Sequence, residues 1–516
     1  MIRYTPEPLT NFAEPKEAQQ LAAALNQVKA LLGRNYPIIA AGQERFTSRH
    51  ITSVNPSRNE EVIGNVSKAD ARLADEAVEA AHARFLTWSR VKPEIRADYL
   101  FKAAAILRRK KHVFSAWMML EAGKTRAEAD ADTAEAIDFM EYYARQMLQL
   151  VQRGAEQLTQ TPGERNDLIY LPLGVGIIIP PWNFPLAIVA GMTTAAIVAG
   201  NTVVLKPSSL TPVIAYQFME LLREAGVPDG IVQYVPGGGS EIGDVLVSHK
   251  LTRFISFTGS KEVGIHLHEI SAKVQPGQLW LKRFVGEMGG KDAIVVGEDA
   301  DPAAAAAGIV TSAFGYSGQK CSACSRVIVH HRLYDEVLER VRELTVQLKM
   351  GDAAEAATDV GPVIDRQAYL KIANYIRVGQ QEGQLVAGGG CDDGTGYFIE
   401  PTIFAGVDPD ARLMQEEIFG PVVAFTAVSS FEDALRIANH SEYGLTGSVY
   451  TNNRQHIEQA KAEFQAGNLY INRKCTGAIV GVHPFGGFNM SGTDSKAGGP
   501  DYLFLFTQPK LISERL

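Results

Sequence analysis

The chain has 516 residues, of which 46% are hydrophobic, 21% charged and 8% aromatic, with a formal net charge of -8 at pH 7. This is the composition of an ordinary globular protein, long enough for two or three domains with sizeable cores. The acidic balance argues against nucleic acid or an anionic membrane surface as the main partner and fits a cytoplasmic enzyme.

Four cysteines, at 321, 324, 391 and 475, do not make a disulfide framework in so long a chain, and a reducing compartment suits them better. The opening MIRYTPEPLTNFAEPKEAQQ has no apolar core of a secretory signal and is too acidic for a typical transit peptide. Residues 1–36 read as an N-terminal arm with one helix near 16–32. Ser67-Lys68-Ala69-Asp70 resembles a capping box, after which Ala74, Val78, Ala81 and Phe85 share one helical face. Two further helical stretches are expected over 94–122 and 126–150.

Residues 171–205 carry no charge, but Pro172, Pro180, Pro181, Pro185, Gly200 and Asn201 interrupt them, so they read as buried core rather than a membrane span. From Asp167 onward short β-branched runs alternate with helical segments. Strands are predicted at 175–179, 202–205, 231–235, 254–257 and 293–296, and a second series over 303–450 has strands at 326–329 and 422–426. This alternation predicts an α/β protein with two doubly wound lobes. The polar stretch 151–167 with the apolar 168–171 reads as a hairpin standing away from the main sheet, and 502–507 as a strand. An exposed apolar terminal strand needs a partner. These two pieces are expected to pair across subunits, the alternative being packing on their own chain.

The chemistry centres on FGYSGQKCSACSR (314–326), where Gly315 and Gly318 form a loop able to present the Cys321 thiol beside Gln319 and Lys320. A thiol with pKa about 8.5 is a poor nucleophile unless its surroundings favour the thiolate, so a base and an oxyanion donor should lie nearby. Asn183, in PWNFP (181–185), follows a predicted strand directly and offers an amide donor where ligands bind in open α/β sheets. Taken alone it reads as a loop residue between prolines. Lys206 closes another strand, and PGGG (236–239) and FTGS (257–260) are small-residue turns ahead of helices, suited to a pyrophosphate. Gly237, Gly239 and Gly243 follow GxGxxxG, not GxGxxG. Glu287, in EMGGK (287–291), is a candidate base for activating water. Glu417 and Phe419, in EEIFGP (416–421), could face a ribose and a nicotinamide or merely end a helix.

In this order and with these separations, PWNFP, the KPS stretch, FTGS, EMGGK, GQKCSA and EEIFGPV resemble the aldehyde dehydrogenase superfamily, from about residue 37 over nearly the whole chain. The resemblance implies a Rossmann-like NAD-binding domain (37–150 and 172–285), a catalytic domain (286–487) and a small β oligomerisation element (151–171 and 488–516) in a homodimer or higher homo-oligomer. It implies Cys321 as nucleophile, Glu287 as water-activating base and Asn183 as oxyanion donor, with Trp182, Lys206, Ser209, Gly243, Ser260, Glu417 and Phe419 against NAD. Ser209 stands where many relatives carry a glutamate that repels a 2′-phosphate, which leaves NADP open.

A narrower resemblance rests on KCTGA (474–478), PFGG (484–487), SGT (491–493) and the long N-terminal arm. It is to members that oxidise L-glutamate γ-semialdehyde to L-glutamate in proline and arginine catabolism. It implies that Ser322, Gly477 and Ala478 anchor the α-carboxylate, while Phe184 and Phe485 hold the aliphatic part. Backbone N–H groups in a nest bind an anion without a buried countercharge. The rival readings are another aldehyde or coenzyme A as acceptor, a CxxC thiol-redox or zinc motif at Cys321–Cys324, and a non-catalytic relative. No metal is expected, because a second CxxC or spaced His pair is missing. Cys324 is a possible disulfide partner of Cys321 under oxidation.

Overall fold

A computed structural model describes residues 4–153 and 158–516. Two seven-stranded sheets organise it. The first runs, in spatial order, Arg283–Glu287, Thr252–Thr258, Val175–Ile179, Thr202–Leu205, Val232–Tyr234, Ile38–Ala40 and Gln43–Arg45. Its first five strands are parallel and its last two antiparallel. The second runs Gln384–Ala387, Thr402–Ala405, Val422–Val428, Cys324–His330, Asp292–Val296, Thr446–Tyr450 and Asn468–Ile471, and is parallel except for its first strand. Every residue of Val175–Ile179, Thr202–Leu205 and Asp292–Val296 is buried, as parallel strands covered on both faces require.

The two α/β sheets agree with the sequence reading, and four details correct it. The helix Ala71–Trp88 starts at Asp70, whose carboxylate accepts from the Leu73 N–H at 2.9 Å; Ser67 ends the strand before it. Ala74, Val78 and Ala81 are fully buried on this helix, and Phe85 only half. The stretch 94–122 is two helices, Pro93–Arg109 and Lys111–Glu121, because Lys110 leaves helical geometry between them. The run 293–296 belongs to the second sheet; the first sheet ends instead on Arg283–Glu287.

The fourth correction concerns the stretch read as a hairpin and the terminal strand. Residues 151–153 finish the long helix Arg126–Arg153, residues 154–157 lie outside the described residues, and Glu164–Pro172 is one strand. Its partner is the antiparallel strand Thr507–Arg515 of the same chain. Residues 502–507, expected as that strand, are mostly the single 3-10 turn Tyr502–Phe506, which buries Tyr502, Leu503 and Phe506. Of the N-terminal arm, the described part begins at Tyr4 and contains the helix Pro15–Lys29, three residues shorter at its end than expected.

The chain leaves the first sheet at the carboxyl end of Arg283–Glu287 and enters the second at Asp292, the amino end of Asp292–Val296. The carboxyl edge of one parallel sheet therefore meets the amino edge of the other. No helix among the described residues is long and apolar enough to cross a membrane.

Candidate active site

Cys321 sits at this meeting line, just before the strand Cys324–His330. The helix Pro302–Phe314 ends ahead of it, and the chain then turns through Tyr316 (φ 52°), Ser317 (φ 55°) and Gly318 (φ 67°), all left-handed. Two side-chain-bearing residues in this region cost about 1–2 kcal/mol each and persist only where the surroundings hold them. Here they are held. The Tyr316 hydroxyl donates to the Ala122 carbonyl at 2.6 Å and the Ser317 hydroxyl to the Gly361 carbonyl at 2.6 Å. The buried Gln319 amide donates to the Tyr316 and Pro362 carbonyls at 3.3 and 3.2 Å and accepts from the Ile364 N–H at 2.8 Å. Gly318 has no alternative, since a Cβ there would stand 2.2 Å from the Gly420 carbonyl oxygen.

Burial pushes the half-buried Cys321 thiol well above its usual pKa, and the carboxyl groups of Asp292, Glu287 and Glu417 push the same way, while the Ser322 N–H opposes them. These surroundings favour the thiol over the thiolate. Asn183, buried just beyond the strand Val175–Ile179, donates through Nδ2 to the Gln319 carbonyl at 3.0 Å, which ties the amide to the cysteine loop. That bond uses one of its two amide hydrogens.

Glu287 ends its strand opposite Thr258. Its Oε1 accepts from the Ser495 hydroxyl at 2.5 Å, whereas Oε2 is buried with no hydrogen-bond partner among the described residues. Burial raises its pKa to about 8, against the lowering effects of Ser495 and Lys496. Asp292 is pushed well above the carboxylate range by burial and by Cys475. Among the carboxyl groups acting on Cys321, Glu287 combines an uncommitted oxygen with a pKa near neutrality, which suits a proton acceptor.

On the first sheet's carboxyl edge, Lys206 follows Thr202–Leu205 and is 6% exposed. Its ammonium has no ion pair or hydrogen bond among the described residues, and burial lowers its pKa to about 8. Ser209 is half-exposed in the turn after it. Around Gly243 the space is open, with nothing within 4 Å of a Cβ placed there. Ser260 is exposed and caps the helix Lys261–Ala272. Glu417 accepts from the Gly290 N–H at 3.0 Å, and the next residue but one, Phe419 (φ 60°), meets Trp182 edge-on at 5.5 Å between ring centroids.

On the other side of Cys321, Ser322 is buried, and its carbonyl accepts from Thr446 Oγ1 and from the Cys475 thiol, each at 3.4 Å. The loop 474–478 therefore abuts the nucleophile segment. Gly477 is left-handed at φ 77°, and Arg473 donates to the Thr476 and Gly477 carbonyls at 2.8 and 3.2 Å. Arg473 thus fixes the carbonyl side of the turn; neither the Gly477 nor the Ala478 N–H has a partner among the described residues. Phe485 is half-buried and bridges to Ala497. Phe184 lies under the ammonium of Lys124 at 4.1 Å, and the Tyr316 ring lies 4.4 Å from the same nitrogen. Lys124 is fully buried and pairs with Asp132 at 3.0 Å.

Sequence reasoning missed Lys124, Arg473 and Ser495, none of which lies inside a recognised motif, and it named Gln319 only as a polar neighbour of the thiol, not as the amide that pins the loop. All four cysteines are free. Cys324 is buried in the core of the second sheet, where its thiol donates to the Arg326 carbonyl at 3.4 Å. It shares this core with the buried Cys475.

Comparison with known families identifies the class. Residues 44–512 match the aldehyde dehydrogenase family, and the chain belongs to that family. Among curated relatives, the 1-pyrroline-5-carboxylate dehydrogenase of Geobacillus thermodenitrificans is 61% identical over 511 residues, 99% of either chain. That of Bacillus cytotoxicus is 58% identical over 516 residues, the whole of each chain. Among solved structures, a 1-pyrroline-5-carboxylate dehydrogenase from Thermus with bound NAD superposes with a TM-score of 0.97 at 46% identity, covering all of both chains.

Proposed function

We propose that the chain oxidises L-glutamate γ-semialdehyde, the open form of 1-pyrroline-5-carboxylate, to L-glutamate with NAD. The observation that carries the substrate class is the turn at 474–478. Its N–H groups at Gly477 and Ala478 have no partner among the described residues while its carbonyls are tied back to Arg473, and it abuts Ser322 beside the nucleophile. Such a turn suits the α-carboxylate, and the names of the full-length relatives point to the same substrate.

Cys321 gives up its proton to bulk water and attacks the aldehyde carbon as the thiolate. The Asn183 amide and the Cys321 N–H receive the oxyanion, donors of a kind worth about 3–4 kcal/mol each in acyl transfer. NAD, when bound, accepts the hydride whose departure leaves a thioester on Cys321. Glu287 then takes a proton from water, the hydroxide adds to the thioester carbonyl and expels the Cys321 thiolate, and the thiolate takes the proton held by Glu287 as glutamate leaves. Phe184 and Phe485 flank the aliphatic chain. The residues present fit a dinucleotide: Lys206 supplies an unpaired cation, the surroundings of Gly243 leave room, Ser260 marks a helix start, Glu417 offers a carboxylate to a ribose, and Trp182 and Phe419 give an aromatic wall. Ser209 is small and neutral and places no charge against a 2′-phosphate, which leaves NADP use open.

In the same reading, the first sheet is the cofactor lobe and the second the catalytic lobe, joined at residues 288–291. The paired strands Glu164–Pro172 and Thr507–Arg515, which expose Ile169, Leu511 and Ile512, form the element that joins subunits in a homo-oligomer. The test of function is NADH formation with 1-pyrroline-5-carboxylate, succinate semialdehyde and propanal. The expected result is a preference for the first over propanal of about 100-fold or more in kcat/KM. Equal turnover of all three would sink the carboxylate anchor.

A further inference from the structure

The N-terminal arm crosses the molecule to the proposed carboxylate turn. From Thr10 back to Tyr4 it follows the helix Arg126–Arg153 toward that helix's C-terminus, fastened at intervals. The Thr10 N–H and hydroxyl donate to the Asp130 carboxylate at 2.7 and 2.5 Å. The Lys111 ammonium donates to the Pro8 carbonyl at 2.9 Å. The Glu7 N–H donates to Asp138 Oδ1 at 2.8 Å, and its carboxylate accepts from Arg108 at 2.8 Å. The Tyr4 ring then meets Tyr142 edge-on at 5.2 Å, and its hydroxyl donates to the Val480 carbonyl at 3.0 Å.

Val480 lies two residues beyond Ala478. The segment between is flanked by two left-handed glycines, Gly477 (φ 77°) and Gly481 (φ 75°), the residue type that loses most conformational freedom on ordering. A turn hinged at both ends binds an anion well only if both ends are fixed beforehand, because any ordering left until binding is subtracted from affinity. Arg473 fixes the first end. At the second, the Gly481 N–H donates to the Gly498 carbonyl at 2.9 Å, and a Cβ on Gly481 would stand 2.8 Å from the Tyr4 ring and 2.9 Å from that of Tyr142. Tyr4 closes this end by both its ring and its hydroxyl.

We infer that residues 4–10 act as a strap that holds the 477–481 turn in its anion-binding form, with Tyr4 as a positioning residue for substrates that carry an α-carboxylate. The inference rests on the proposed function and adds a specificity element from the far end of the sequence. Tyr4 touches no reacting atom, so its influence falls on substrate binding rather than on the chemical steps at Cys321.

The test is steady-state kinetics of the full-length protein and its Tyr4→Phe and Tyr4→Ala variants, with 1-pyrroline-5-carboxylate and with propanal. Tyr4→Phe keeps the ring and removes only the hydroxyl. Its expected effect is a rise in KM for 1-pyrroline-5-carboxylate of about 3- to 10-fold, the range of one lost hydrogen bond. Its kcat, its KM for NAD and its propanal kcat/KM should stay within twofold of wild type. Tyr4→Ala, losing the ring as well, should raise that KM further. Where the alanine variant does not fold, the phenylalanine variant decides. An unchanged KM in Tyr4→Phe, or equal losses with both aldehydes, overturns the strap. A wild type that does not prefer 1-pyrroline-5-carboxylate overturns the proposed function and the strap with it, whereas preference in the wild type with an unaffected Tyr4→Phe overturns the strap alone.

Discussion

The loop that presents Cys321 and the sheet edge that carries Lys206 are finished in opposite ways. In the loop, three consecutive left-handed residues are pinned by the Tyr316 and Ser317 hydroxyls and the Gln319 amide, and Gly420 leaves no room for a side chain at Gly318. At the edge, a buried ammonium lacks a partner among the described residues, and the space at Gly243 is open. Groups that must be placed before a bond forms are fixed by the fold, at the cost of backbone strain. In the proposed function the groups that hold a ligand are left incomplete, so that the ligand would supply the missing partner.

Gly318→Ala breaks the comparison on its rigid side. The new methyl meets backbone rather than a side chain that could move, and the left-handed φ adds strain, so a loss of about 3 kcal/mol is expected. Urea unfolding checks the stability, and kcat should fall with it, because the displaced loop carries both Cys321 and the carbonyl that holds Asn183. Wild-type stability and kcat would show that the loop is less constrained than its hydrogen bonds indicate.

On the open side the expected effect is smaller and confined to the cofactor. Lys206→Ala should raise KM for NAD roughly 10-fold or more through the lost charged contact, with little change in unfolding midpoint. The pH dependence sharpens this. Lys206 is cationic below its pKa of about 8 and loses its charge above it, so wild-type KM for NAD should climb as pH rises through that value. The climb should be absent in Lys206→Ala. A variant that loses stability rather than cofactor affinity would place Lys206 with the structural residues.

Much of this was legible in the chain because parallel strands announce themselves. Val175–Ile179 and Thr202–Leu205 have the bounds their apolar runs predict. Arg283–Glu287 was not visible because RFVGE begins and ends in charge, and the assignment of 293–296 to a sheet depends on topology that local pattern does not encode. Tyr502–Phe506 is apolar enough to pass for a strand, yet its buried residues at 502, 503 and 506 have helical spacing. The true strand, TQPKLISER, is mostly exposed and contains Pro509, both features that hide a strand. Within the site, the ordered motifs led to Cys321, Glu287 and Asn183, since glycines and prolines mark the turns that carry them. Ser495 and Arg473 left no such mark. They act through a single hydroxyl and a single guanidinium brought in by the loops that follow the last strand of the second sheet, and only the folded geometry reveals them.

In the proposed mechanism Cys321 carries the acyl group and Glu287 releases it. The most direct measurement is rapid mixing of Glu287→Gln with NAD and 1-pyrroline-5-carboxylate, followed by peptide mass mapping of the quenched protein. The expected result is a burst of about one NADH per site, steady turnover lower by about 100-fold or more, and a glutamyl thioester on the peptide bearing Cys321. Undiminished steady turnover, or a burst that leaves Cys321 unmodified, would contradict it.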